Sequence, residues 1–243
     1  MNRLPDVKAF YRILAALEGK LGGMRTLAEC HGRMNWPDRG VYFFFEPGEV
    51  RSDSGEGPRV VRVGTHATTA GSKSRLWGRL SQHRGTAGSG GGNHRGSIMR
   101  LLVGVALKTR SAMDHMDTWG TGQNATKACV KLGVTSSELR RREHVLETAV
   151  SEYIRAMPFL WVDIGDASDP KSDRGLIERN SIGLLGNYLR TPIDPASKKW
   201  LGTFCDRERV RGSGLWNNNY VDEEYDPEFL GTFEHYVKGT CSA

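Results

Sequence analysis

Glu178 is the one acidic residue of LIERNSIGLLGN, Leu176 to Asn187, an otherwise largely apolar and small-residue stretch. Burying an isolated carboxylate costs free energy unless it is hydrogen-bonded, paired or bound to a metal. A partner is therefore expected. Side chains of fitting type are Tyr42, Arg62, Arg79 and His83, and Asn187 closes the stretch itself. Phosphodiester hydrolysis needs an activated water, a cation against the charge growing on phosphoryl oxygens, and stabilisation of the departing oxygen. These six residues have the chemistry for those tasks, but they lie too far apart in sequence for spacing alone to bring them together.

The elements that must position them can be read from periodicity. Val7, Phe10, Leu14, Leu17 and Leu21 recur at helical spacing and predict an amphipathic N-terminal helix. GVYFFFEPGE reads as a strand ending at Pro47 and Gly48, and PRVVRVG as a second strand; the polar, glycine-containing loop between them predicts a hairpin. In SKSRLWGRLSQH, Leu76 and Leu80 lie one turn apart, and Arg75, Arg79 and His83 repeat at the same interval. One helix can thus bury its leucines and display a row of cationic or proton-carrying groups.

GTAGSGGGN, residues 85 to 93, is expected to be a mobile loop. It is no nucleotide loop, because GxxxxGK[ST] is absent. IMRLLVGVAL reads as an inserted or central strand. Thr135 and Glu138 form a capping-box pattern ahead of a long helix, Pro158 limits its continuation, and FLWVDI is a strand. Asp173 is the expected cap of a helix carrying Glu178, with Gly186 as its terminator. The order predicts an α/β fold: a small mixed or antiparallel central sheet flanked by helices, with a large internal insertion and an ordered C-terminal extension.

Charge is unevenly spread. The net charge is +6, with a pI near 9.2, which permits a nucleic-acid partner without requiring one. From Gly57 to Met113 there is no acidic residue, whereas VDEEYDPEFLGTFE near the C-terminus is acidic. Arg75, Arg84, Arg95 and Arg100 are accordingly expected to present a basic face to phosphates. No apolar run approaches membrane-spanning length, and MNRLPDVKAFYRI lacks the pattern of a secretory signal. Cys30, Cys129, Cys205 and Cys241 are scattered without metal-site spacing and read as thiols of a cytoplasmic protein.

The arrangement resembles the GIY-YIG nuclease superfamily. Gly40, Val41 and Tyr42 match the first half-motif, and Arg62, Val63 and Gly64 the second, with arginine where tyrosine is usual. RLSQH, Arg79 to His83, resembles the helix bearing the catalytic arginine and a histidine or tyrosine four residues on. LIERNSIGLLGN resembles the later segment with the metal-binding glutamate, Glu178, and an asparagine, Asn187. The domain is enlarged, as in the restriction-endonuclease branch. It divides into an N-terminal helical extension (1–35), an elaborated nuclease domain (36–190) with an insertion at about 84–173, and a C-terminal extension (191–243).

The resemblance implies a DNA substrate, double-stranded by preference, a restriction or repair setting, and Mg²⁺ or Mn²⁺ held by Glu178. It implies Tyr42 as general base, Arg79 on the transition-state charge and His83 as support. Arginine stays charged near neutral pH and cannot be a base, so Arg62 is left to favour the Tyr42 phenolate or to hold a phosphate oxygen. A catalytically inactive DNA-binding adaptor that keeps the scaffold is the alternative. Oligomeric state is not readable. Among the remaining residues, Phe43 to Phe45 and Trp216 are expected to pack, while His66, Asn93, His94 and Asn217 to Asn219 are candidates to line a recognition surface.

Overall fold

The computed structural model describes residues 2–112 and 116–240; Cys241 lies outside them. In chain order the elements are α1 (Leu4–Leu21), β1 (Arg25–Thr26), β2 (Gly40–Val50), β3 (Pro58–Gly64), α2 (Leu76–Arg84), α3 (Ile98–Arg110), α4 (Ala125–Leu132), α5 (Ser136–Arg155), β4 (Pro158–Asp163), α6 (Asp173–Leu185), α7 (Glu208–Ser213) and α8 (Phe229–Gly239). Short 3₁₀ turns cover His94–Gly96 and Leu201–Phe204. The strands form one antiparallel sheet in the order β1-β4-β2-β3.

β2 is central, and both of its faces are covered. Tyr42 and Phe44 turn toward His83 of α2, while Phe43 packs on Phe10 of α1 and Phe233 of α8. A strand buried on two faces reads as an unbroken apolar run instead of an alternation, which accounts for VYFFF. Each fully buried phenylalanine contributes about 2–3 kcal/mol. In register, Tyr42 stands between Gly64 of β3 and Trp161 of β4. A bulge after Phe44 shifts the hairpin so that Phe45 faces Val60.

β3 would be an open edge, a row of unpaired amides that favours unwanted pairing. The C-terminal segment closes it. The Trp216 amide donates to the Val61 carbonyl at 2.6 Å, and the Asn217 side chain accepts from the Val63 amide and donates to its carbonyl. Glu46 adds a clasp, accepting from Tyr153 Oη and from the indole N–H groups of Trp200 and Trp216. Trp216 thus anchors the segment as expected. Asn217 is buried against the strand edge and lines no recognition loop.

Several other expectations change. IMRLLVGVAL is the helix α3, capped by Ser97, with Met99, Leu102, Val103, Ala106 and Leu107 on its buried face. Those positions have helical spacing, and the β-branched residues among them do not override it. β2 runs past Pro47 and Gly48 to Val50. Ser172 caps α6 by accepting the Gly175 amide, and Asp173 instead accepts from Tyr236 Oη. The glycine-rich stretch is exposed at residues 86–89, but at Gly92 a side chain would collide with the Arg100 guanidinium, and at Gly85 with the Gly91 carbonyl. Those glycines serve close approach. Among the described residues Cys30, Cys129 and Cys205 are free thiols.

Candidate active site

The site forms where the ends of β2 and β3, α2 and α6 meet. Gly40 and Gly64 are glycines because the packing there leaves no room. A methyl on Gly40 would strike the Val162 carbonyl, and one on Gly64 would lie 2.5 Å from Cζ of Tyr42. Thr65 ties these ends together, its hydroxyl donating to the Gly40 carbonyl at 2.8 Å. Its amide donates to Oε1 of Glu178 at 3.1 Å. Glu178, projecting from the middle of α6, is thereby brought to the strand ends.

Tyr42 Oη lies 2.7 Å from His83 Nε2, and His83 Nδ1 lies 2.7 Å from Ser97 Oγ. Tyr42 and His83 have no solvent exposure. Burial, reinforced by Arg79, Arg62 and Arg100, holds the His83 imidazole well below its ordinary range, so it is neutral. Glu178 responds the other way. Burial raises its carboxyl above the ordinary range, and Arg62, the Thr65 amide and Arg79 offset part of that. Tyr42, His83, Arg62, Arg79 and Glu178 are therefore one neighbourhood, although the residue surface of Glu178 remains partly open.

The arginines differ in how much of their hydrogen-bonding capacity is spent. Arg62 is buried and donates to the Trp216 carbonyl at 2.6 Å, while its Nε has no partner among the described residues. Arg79 donates to Gln82 Oε1 at 3.0 Å and to the Gly96 carbonyl, and its Nε is likewise unpartnered. His66, next to Thr65, is buried with Nδ1 3.1 Å from the Ser74 carbonyl and Nε2 unpartnered. Burial and the neighbouring Arg174 depress its imidazole to about 4. Periodicity gave no signal for it beyond its place two residues after Gly64.

Other expected residues are elsewhere. Asn187 lies beyond the end of α6, where it accepts from Arg3 and from the Ile193 amide and donates to the Ile193 carbonyl; it is a structural clamp there. Arg95 and Arg100 do not offer a phosphate face. Arg95 is paired with Glu143 at 2.7 Å, and fully buried Arg100 with Glu147. His94 is stacked on Trp119 and hydrogen-bonded to Glu147, and Asn93 caps the short 3₁₀ turn. Arg84 is half-buried, whereas Arg75 is exposed, 3.4 Å from Asp38. With Arg39 and Lys73, Arg75 and Asp38 line an open recess of about 480 Å³. It adjoins Ser74, the partner of His66. A recess of about 560 Å³ beside Arg3 and Arg190 is distant from this chemistry, since both arginines are engaged with the far end of α6.

A model of the GIY-YIG domain matches residues 1–243. The chain belongs to the GIY-YIG domain family. No curated protein and no solved structure matches it. GIY-YIG domains are nucleases acting on DNA, and they are generally metal-dependent. Within this GIY-YIG chain no group of three or more His, Cys, Asp or Glu side chains gathers among the described residues. What is present is one carboxylate, fixed through Oε1 by an amide and partly open. That suits a hard cation completing its shell with water and phosphate oxygens. No helix among the described residues is long and apolar enough to cross a membrane.

Proposed function

We propose that this GIY-YIG protein is an endonuclease hydrolysing phosphodiester bonds in duplex DNA, with Glu178 holding a divalent ion, Mg²⁺ or Mn²⁺. The observation that carries the reading is the meeting of Tyr42 and His83 with Arg62, Arg79 and Glu178 in one neighbourhood. An ion bound at Glu178 supplies polarisation of the scissile phosphate and stabilisation of the leaving oxygen. Tyr42, as the phenolate formed when its own proton is given up to solvent, takes the proton of the attacking water as the new P–O bond forms. The bond to the 3′ oxygen breaks, and that oxygen gains a proton from solvent, leaving a 5′ phosphate and a 3′ hydroxyl. Arg79, which is half-buried, is suited to equatorial phosphoryl oxygens, while the buried Arg62 contributes its charge from within the fold. Arg39, Lys73 and Arg75 extend the cationic surface along the strand.

The complete burial of Tyr42 favours a second reading, a DNA-binding adaptor without hydrolysis. The base role requires the phenol edge to open when DNA docks. One experiment separates the two: incubation of supercoiled and linear duplex DNA with the protein and with Glu178→Ala, in Mg²⁺, Mn²⁺ or EDTA. Ion-dependent scission lost in the variant and in EDTA supports the nuclease. Folded protein that binds DNA in a salt-sensitive manner and never cuts it supports the adaptor.

A further inference from the structure

The first half of α5 sorts its charges by sign. Glu143 and Glu147 are buried and spent on Arg95 and Arg100. Arg140, Arg141 and Arg142 turn outward, Arg141 with 75% of its side chain exposed. Lys127 and Lys131 are exposed on α4, which packs on α5. The acid in their midst is Glu138, half-buried and shared by Arg141 at 2.8 Å and Arg142 at 2.7 Å. A single carboxylate cannot neutralise these lysines and arginines, so the outer surface of α4 and α5 stays positive, complementary to a polyanion.

The backbone gives that surface its shape. Asn124 opens α4 by accepting the Lys127 amide at 2.9 Å, and the helix stops at Gly133, whose φ of 64° is the left-handed conformation that glycine tolerates. The Val134 amide donates to the Cys129 carbonyl at 3.1 Å, and Thr135 opens α5 by accepting the Glu138 amide at 3.2 Å. Gly133, Val134 and Thr135 are the whole connection between the helices. Ala128 and Leu139, buried on either side of it, supply apolar surface without which an eight-residue helix would not hold. A short helix, a three-residue turn with glycine and a second helix make up the helix-turn-helix arrangement. In that arrangement the first helix crosses the phosphate backbone, and the N-terminal residues of the second reach base edges in the major groove. Ser136, Ser137, Arg140 and Arg141 hold the corresponding places, all exposed, in two pairs each one turn apart.

We propose that α4 and α5 form a DNA-reading unit, with the N-terminal turns of α5 in the major groove of duplex DNA and Lys127 and Lys131 on the flanking phosphates. Arginine can hold a guanine through two hydrogen bonds, and serine accepts or donates to any base, so the unit makes binding sequence-selective. The second half of α5 belongs to the core: Val150 and Ile154 are buried, and Arg155 donates to the Arg84 carbonyl at the end of α2. One unbroken helix therefore joins the reader to the helix of Arg79 and His83. Its 20 residues span about 30 Å, the length of about nine base pairs, which puts the sequence read within about one helical turn of the scissile bond. The inference rests on duplex DNA as the substrate, but does not require that the DNA be cut.

The test is selection of bound duplexes from a random-sequence pool by the full chain, in EDTA so that no strand is cut, followed by titration of a selected and a scrambled duplex. The expected result is a recurring motif of a few base pairs. A variant carrying Ser137→Ala, Arg140→Ala and Arg141→Ala, its folding checked by a thermal melt, should lose at least about tenfold of the selected-over-scrambled ratio. Lys131→Ala should weaken both duplexes alike and lower the salt slope by about 1. Binding without a motif overturns the inference, and that outcome needs no variant to fold. A motif that survives the triple variant overturns it too, and if self-association is lost instead, the face is a contact between copies of the chain. Selective binding by a protein that never cuts DNA in Mg²⁺ or Mn²⁺ would remove the nuclease reading and leave the inference standing; cutting without selectivity would do the reverse.

Discussion

Gly64 lies directly beneath the ring of Tyr42, so that any side chain at position 64 would occupy space the tyrosine holds. Backbone and ring fix each other. Gly64→Ala is expected to push Tyr42 away from His83 and to destabilise the protein by about 1–3 kcal/mol, the usual cost of overpacking. Urea unfolding measures the loss. A variant as stable as the parent would mean the ring relaxes elsewhere.

Glu178 yields a prediction with a definite sign. Its carboxyl titrates above the ordinary range in the folded chain, mainly because it is buried. The native state therefore keeps a proton that the unfolded chain has lost, and stability falls as pH rises from the ordinary carboxylate value through the raised one. Glu178→Gln removes that loss. It should be more stable than the parent by about 1 kcal/mol near neutral pH, with the gap shrinking toward acid, while losing metal-dependent cleavage. Denaturant midpoints at two pH values test this, and a gap that ignores pH would refute it.

Arg100 and Glu147 behave as a structural pair. Breaking a buried ion pair by removing one partner typically costs about 3–5 kcal/mol, so Arg100→Ala should be severely destabilised. Burial pushes the Glu147 carboxyl up, but His94 and Arg100 together hold it below the ordinary range. Its contribution is full above the ordinary carboxylate range and is lost as pH falls through the depressed value. Glu147→Gln should therefore be least distinguishable from the parent in acid, which thermal melts across pH would reveal.

Arg75 makes the opposite prediction. It is exposed and only loosely paired with Asp38, so Arg75→Ala should leave the melting temperature nearly unchanged. If it contacts a phosphate, the slope of log affinity against log salt should fall by about 1. Duplex binding titrated over several salt concentrations measures that slope. No change would move the DNA path away from this recess.

Much of the site was legible because its residue types are constrained by packing as well as chemistry. Gly40, Gly64 and Thr65 shape the backbone that delivers Tyr42 and Glu178, and the helix carrying Arg79 and His83 announces itself through Leu76 and Leu80. The misread parts share a cause. Arg95 and Arg100 sit in a stretch without acids, yet their partners Glu143 and Glu147 arrive from α5. Charge counted along a chain does not show which charges the fold will pair. IMRLLVGVAL was ambiguous because a short apolar run suits a buried strand or a helix, and the Ser97 cap that distinguishes them is a single residue. Asn187 matched a motif position, but Arg3, from the start of the chain, is what it binds.

The closing of β3 by Trp216 and Asn217 bears on how the protein is made. Arg62 rests on the Trp216 carbonyl, and Glu178 reaches the strand ends only once α6 exists. Tyr42, Arg62, Arg79 and His83 all leave the ribosome long before either. A nascent chain therefore carries these four residues with the framework unfinished, and the candidate site is completed only after synthesis has passed Asn217. In a chain of a family that acts on DNA, this order of synthesis delays completion of the candidate site until its last framework segment has been made.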